Sequence, residues 1–182
     1  HFDVTNDNSL ITNLVVTSAG TNTYKPSADL TTVEIQSVAD ADVVVTLAAD
    51  TSVSTTTGAG DDLTVNGGTA YDVTLTASTA TEDLVVTGLD NTLTANSILG
   101  NATVTSAGDL SLTATAAKGN VTITSGDDTT TVNTPAAAGT VTINSAGKIQ
   151  ATTLTAATTI VLNNTGGTAA TDDVVLTNGA AA

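Results

Sequence analysis

The stretch ATVTSAGDLSLTATAAKGNVTITSGD at 102–127 contains the pattern on which the fold of this chain depends. Within it, ATVTSAG (102–108) and VTITSGD (121–127) are two copies of one unit. In each copy a small or apolar residue alternates with Thr, and the run then ends at Ser or Gly. This is the pattern of a half-buried strand followed by a turn. We therefore expect a chain built from repeated short strands.

The same unit returns from residue 43 almost to the end of the chain. Its copies are VVVTLAAD (43), LTVNGG (63), LVVTGLD (84), ATVTSAG (102), VTITSGD (121), VTINSAG (141), IVLNNTGG (160) and VVLTNGA (174). Their starts lie 20, 21, 18, 19, 20, 19 and 14 residues apart, so only the last interval is short. A weaker alternating stretch lies between copies, as in SVSTTT (52–57), DVTLTAS (72–78) and DLSLTATA (109–116). Each period thus predicts strand, turn, strand, turn.

The even period predicts the fold class. A unit of two short strands cannot bury its own apolar face, whereas stacked units can, with neighbouring coils hydrogen-bonded about 4.8 Å apart. We therefore predict an all-β fold, a parallel β-solenoid (β-helix) with coils of about 19–20 residues and two short strands per coil. An antiparallel β-sandwich is the alternative, because it also gives short strands at regular spacing. The similarity of the copies favours the solenoid.

The repeat divides the chain into an irregular N-terminal cap or junction at 1–42 and a repetitive solenoid at 43–182. NLVVTSAG (13–20) resembles a copy, but Tyr24, Lys25 and Pro26 interrupt the pattern. Proline is poorly tolerated within a central ladder. Segment 1–42 is either a boundary with a preceding domain or one irregular coil. Because the chain starts at His1 without Met or an apolar signal segment, we expect a processed product or a fragment.

The composition limits the partners of this chain. Three lysines and no arginine face 18 acidic residues, which gives a formal net charge of −15. Such a surface does not attract nucleic acid or anionic lipid, and no run approaches the roughly 18 apolar residues of a membrane span.

The hydrophobic content of 40% and the regular apolar runs argue against disorder. With no Cys, disulfides and thiolate metal sites are excluded, and cations are the expected partners.

Acidic residues and Asn recur at one position of the repeat. Asp42, Asp62, Asp83, Asn101, Asn120 and Asp173 each stand immediately before a copy, and Thr140 and Thr159 take this place in the other two. Stacked carboxylates repel each other by roughly 1 kcal/mol per pair, and a calcium ion would turn this repulsion into cohesion. The predicted calcium ligands are Asp42, Asp61, Asp62, Glu82, Asp83, Asp90, Asp109, Asp127, Asp128, Asp172 and Asp173. A solvated acidic surface with Asp in turns is the alternative.

One segment suggests calcium more specifically. TGAGDDLTVNGG (57–68) places Gly58, Gly60 and Asp62 as in the RTX nonapeptide G-G-x-G-x-D-x-U-x, in which glycines let the backbone curl round calcium and Asp coordinates it. The segment departs from the motif at Thr57, and the apolar Leu63 comes one place early. SGDD (125–128) is a weaker fragment of the same kind. We therefore add Gly58 and Gly60 to the predicted calcium residues, without predicting a complete RTX calcium roll.

The chain resembles the β-solenoid regions of RTX-type bacterial S-layer proteins, which are acidic and rich in Thr, Ala and Gly. The residues that carry the resemblance are LTTVEIQSV (30–38), VVVTLAAD (43–50) and TGAGDDLTV (57–65), and the repeat extends it over most of the chain. The resemblance implies secretion to the bacterial cell surface and calcium-dependent self-assembly into a lattice. It also implies anchoring, for example to cell-surface polysaccharide, through a part not present in this chain.

Other functions follow from the residues less directly. We do not expect an enzyme, because the only His is at residue 1 and Lys occurs only at 25, 118 and 148. An adhesin stalk or extracellular filament subunit shares every feature of a surface-layer protein. Ice binding is a further alternative, since TVT (103–105), TIT (122–124) and TIN (142–144) recur on three copies; thermal hysteresis tests it. Unpaired edges of the end coils predict self-association.

Overall fold

The computed structural model describes residues 12–18, 22–24, 30–37, 42–57, 62–114, 116–126, 129–133, 137–156, 158–166, 174–177 and 180–181. Within these ranges the chain forms strands, turns and bends, and no helix. The strands are β1 (Asn13–Ser18), β2 (Asn22–Tyr24), β3 (Thr32–Ser37), β4 (Val43–Thr46), β5 (Thr51–Thr57), β6 (Leu63–Asn66), β7 (Val73–Thr81), β8 (Leu84–Gly88), β9 (Asn91–Ile98), β10 (Ala102–Ser106), β11 (Leu110–Ala114), β12 (Val121–Ser125), β13 (Thr129–Asn133), β14 (Val141–Ser145), β15 (Lys148–Thr152), β16 (Thr155–Ala156), β17 (Ile160–Asn164), β18 (Val174–Thr177) and β19 (Ala180–Ala181).

These strands stack into two long parallel sheets. The first, here called sheet A, has nine strands in the order β1-β3-β5-β7-β9-β11-β13-β15-β18. The second, sheet B, has eight strands in the order β17-β14-β12-β10-β8-β6-β4-β2, and β16 and β19 form a small third ladder. Successive strands along the chain alternate between the sheets, and each pairs in parallel with the strand one coil away. The predicted parallel β-solenoid is confirmed, and the antiparallel sandwich is wrong.

The register places like residues above one another. In sheet B, Val104 pairs with Ile123 and Ile123 with Ile143, and all three side chains are buried. Their neighbours Thr103, Thr122 and Thr142 form the next column, on the outer face. The inward positions are therefore filled by Val, Leu, Ile and Ala, which form one continuous core between the sheets. The β-branched side chains suit this stack because they pack well on a pleated surface.

One assignment of a copy to the main series is wrong. VVLTNGA (174) forms β18, which pairs with β15 in sheet A and not with the other copies in sheet B. The 14-residue interval before it is too short for the full coil that would return the chain to sheet B. The segment NLVVTSAG (13–20), which resembles a copy, supplies β1, and β1 pairs with β3 in sheet A. Strands β1 to β3 extend the same two sheets, and the division of the chain at residue 42 stays a prediction.

Candidate functional site: two corner columns of Asp and Asn

The residues before strands β4, β6, β8, β10 and β12 of sheet B form a column that we call the first corner column. It consists of Asp42, Asp62, Asp83, Asn101 and Asn120. Each side-chain Oδ1 accepts a hydrogen bond from the backbone N–H of the equivalent residue in the next coil. The N···O distances are 3.4 Å to Asp42, 3.0 Å to Asp62, 2.6 Å to Asp83, 3.0 Å to Asn101 and, from Thr140, 2.9 Å to Asn120. The predicted alignment of these residues is confirmed.

The residues before strands β5, β7, β9 and β11 of sheet A form the second corner column, which consists of Asp50, Asp72, Asp90 and Asp109. The same hydrogen bond links it from coil to coil, with N···O distances of 2.9 Å to Asp50, 3.2 Å to Asp72 and 2.9 Å to Asp90. Sequence analysis named Asp90 and Asp109 but missed Asp50 and Asp72. Their position in the sequence could have identified these two acids, because each stands at the start of an alternating stretch of the weaker series.

Glycine makes room for these side chains in the first corner column. Gly119 precedes Asn120, and a Cβ at Gly119 would lie 2.8 Å from Oδ1 of Asn101 in the coil before. A Cβ at Gly139 would lie 2.6 Å from Oδ1 of Asn120. Both contacts are closer than carbon and oxygen tolerate. A Cβ at either position would also meet the backbone carbonyl of the glycine one coil below, so glycine here suits both the close approach of the two backbones and the side chain between them.

The hydrogen bond explains why Asp and Asn share the column. Asn101 and Asn120 accept the next coil's amide as Asp62 and Asp83 do, although Asn carries no charge. Asp and Asn therefore share an acceptor oxygen, carried on Cγ, at this position, and the charge is not needed for the hydrogen bond. Carboxylates one coil apart, at about 4.8 Å, repel by roughly 1 kcal/mol at the dielectric of water. A hydrogen bond to a charged group contributes roughly 1.5–3 kcal/mol, so the amide donors offset this repulsion within the fold.

The remaining predicted calcium residues are distributed as follows. Glu82 lies beside Asp83 at the same corner and is exposed. Gly58, Gly60, Asp61, Asp127, Asp128, Asp172 and Asp173 lie outside the described residues. Among the residues that the structure describes, no group of three or more His, Asp or Glu side chains converges to hold a metal ion.

The arrangement of the described carboxylates determines what kind of calcium coordination they can provide. Calcium takes six to eight oxygen ligands, whereas each described column offers at most one carboxylate per coil, in a line. Such a line suits a hydrated ion that bridges neighbouring carboxylates or two molecules. It does not form a closed cage within one chain.

The outer faces of the two sheets carry uncharged residues over most of their length. In sheet B, strands β4 to β17 contain no charged residue. In sheet A the same holds from β5 to β13, and Glu34 of β3 and Lys148 of β15 stand at either side of this region. Thr74, Thr92 and Ser111 are in register on the outer face of sheet A. The described acids of this part of the molecule therefore lie at its corners, and the faces between them are neutral.

Comparisons of the chain with protein-family models, with curated proteins and with solved structures found no match. A search of the described residues for a helix of sufficient length and apolarity to cross a membrane found none.

Proposed function

We propose that this chain is a structural subunit of an extracellular bacterial surface layer, in which copies associate into a lattice that calcium stabilises. The observation that supports the proposal best is the separation of charge. Neutral sheet faces rich in Thr, Val and Asn alternate with corner columns of carboxylates. A lattice needs surfaces that can approach without repulsion, and at net charge −15 the neutral faces provide them.

Calcium has a specific place in this proposal. The amide hydrogen bonds hold the corner columns within each molecule, so that the fold itself does not depend on a cation. When two molecules approach side by side, their corner columns bring further carboxylates together without any additional amide donors. Calcium, which accepts carboxylate oxygens in flexible geometry, would bridge these facing columns. It therefore acts between molecules in this proposal.

Electron microscopy of the purified chain with calcium and with a chelator tests the proposal. We expect ordered two-dimensional arrays in calcium and dispersed particles in chelator. Single linear fibrils in calcium would favour the alternative, an adhesin stalk or extracellular filament subunit. Dispersed particles in both buffers would contradict calcium-dependent assembly.

A further inference from the structure

The outer face of sheet A carries a regular array of hydroxyl groups on its successive strands from β5 to β13, which we call the hydroxyl face. Two outward positions on each strand, two residues apart, are in register with those of the next strand. All but Asn133 are Ser or Thr. The hydroxyl residues are Ser52, Ser54, Thr74, Thr76, Thr92, Thr94, Ser111, Thr113 and Thr131, and the register between them is unbroken.

The array repeats at fixed distances in two directions. Neighbouring strands lie about 4.8 Å apart, and outward positions along one strand lie about 6.6 Å apart. The β-branched Thr side chains are also restricted at χ1, which holds their hydroxyl groups in place. Both repeats are close to those of the oxygen atoms on a prism face of hexagonal ice. A hydroxyl group donates one hydrogen bond and accepts two, so it can hold a water molecule at each position of the array.

The hydroxyl groups of this face are available to a partner outside the chain. Their side chains are exposed, except for Ser54, Ser111 and Thr131, which are half-buried. Within the part of the chain that the structure describes, none of these hydroxyl groups forms a hydrogen bond to another group of the protein. The strands of sheet A from β5 to β13 contain no charged and no aromatic residue. Such a surface suits a neutral partner that forms hydrogen bonds at regular intervals, as ice does.

The outer face of sheet B, which carries the Thr-x-Thr copies singled out in the sequence, is less regular. Val85 interrupts its first outward column of hydroxyl groups. In the second outward column, the hydroxyl of Thr87 donates a hydrogen bond of 2.8 Å to Oδ1 of Asn66. Further along the same column, Nδ2 of Asn163 donates a hydrogen bond of 2.8 Å to Oδ1 of Asn144. Sheet A therefore provides the continuous array of free hydroxyl groups, and sheet B does not.

We propose that the hydroxyl face of sheet A binds ice. Thr is common at exposed strand positions, so the Thr content alone would not support this function. The proposal rests on the unbroken register from β5 to β13, the absence of charge on these strands and the free hydroxyl groups, taken together. Water ordered on the array would join the protein to an ice surface, and ice would then grow only between bound molecules. This function goes beyond the proposed surface layer and requires neither calcium nor assembly.

Thermal hysteresis of the 182-residue chain, measured on single ice crystals in chelator, tests the inference. For the wild type we expect a gap between melting and freezing temperatures that widens with protein concentration. The variant Thr92→Tyr/Thr94→Tyr places two rings in the middle of the hydroxyl face and should lose this gap. The matched control Thr103→Tyr/Thr105→Tyr places the same rings on the outer face of sheet B and should keep it. Tyr suits exposed strand positions, and circular dichroism spectra of all three proteins should agree.

Three results would overturn the inference. The first is a wild type without thermal hysteresis at its highest soluble concentration, including a wild type that binds an insoluble neutral polysaccharide instead. The second is a loss of hysteresis in the sheet B variant while the sheet A variant keeps it, and the third is an equal loss in both. If the sheet A variant does not fold, Thr74→Tyr/Thr76→Tyr on β7 tests the same face. Calcium-dependent arrays without hysteresis would leave the proposed function in place, whereas hysteresis without such arrays would remove that function and keep this one.

Discussion

At the corners of the solenoid, single side chains link one coil to the next. The 2.6 Å hydrogen bond from the amide of Asn101 to Oδ1 of Asp83 is the shortest of those in the first corner column. Asn120 receives the equivalent bond from Thr140 although it is uncharged. The acceptor atom and the charge therefore have separable roles: the acceptor serves the fold, and we assign the charge to contacts between molecules.

Two substitutions of Asp83 separate these roles. Asp83→Ala removes the acceptor and should lower the free energy of unfolding by about 1–2 kcal/mol, because the Asn101 amide loses its partner. Asp83→Asn keeps an acceptor and should remain within about 0.5 kcal/mol of the wild type. Urea unfolding followed by circular dichroism measures both, since the chain has no Trp for fluorescence. Equal losses for Ala and Asn would show that the charge, and not the acceptor, stabilises the corner.

At the scale of the strand, the inward column is the source of stability. Ile123 of β12 lies between Val104 and Ile143, and all three are 0% exposed. Each inward residue packs on its equivalents above and below. A smaller side chain in the middle of the column would therefore leave a cavity that movement of one coil alone cannot close.

The contrast between the two faces of β12 gives a second prediction. Ile123→Ala should lower the free energy of unfolding by about 2–5 kcal/mol, through lost burial and a cavity. Thr122→Ala, one residue away on the outer face, should change it by no more than about 0.5 kcal/mol. Urea unfolding of both variants provides the comparison. Similar losses at the two positions would mean that the alternation does not separate core from surface.

The same strands show how much of the fold the sequence predicts. Period-2 alternation in VTITSGD (121–127) predicts a strand with Val121 and Ile123 inward, and both are buried. Alternation does not identify the sheet, because both series share the pattern of apolar residue and Thr. For this reason β18 was assigned to the wrong sheet, and only the short interval before it could have indicated otherwise. Asp50 and Asp72 were missed because the acids were aligned on one series alone.

At the scale of the whole molecule, charged and neutral surfaces are separated in the part of the chain that the structure describes. The described carboxylates of the two corner columns lie between Asp42 and Asp109, and the faces between the columns are neutral in this part of the molecule. In our proposal the neutral faces let copies approach one another, and calcium bridges the corner columns that then face each other. The first corner column could be predicted from sequence, whereas the second became evident only from the register of sheet A.

Light scattering during a calcium titration, with the wild type beside a six-site variant, tests the central claim most directly. The variant carries Asn in place of Asp42, Asp50, Asp62, Asp72, Asp83 and Asp90, which keeps an acceptor oxygen in every column position and removes six charges. We predict that the wild type assembles as calcium is added and disperses again in chelator. The variant should stay folded and show no calcium-dependent increase in scattering. An identical calcium response in both proteins would contradict the role of the corner columns.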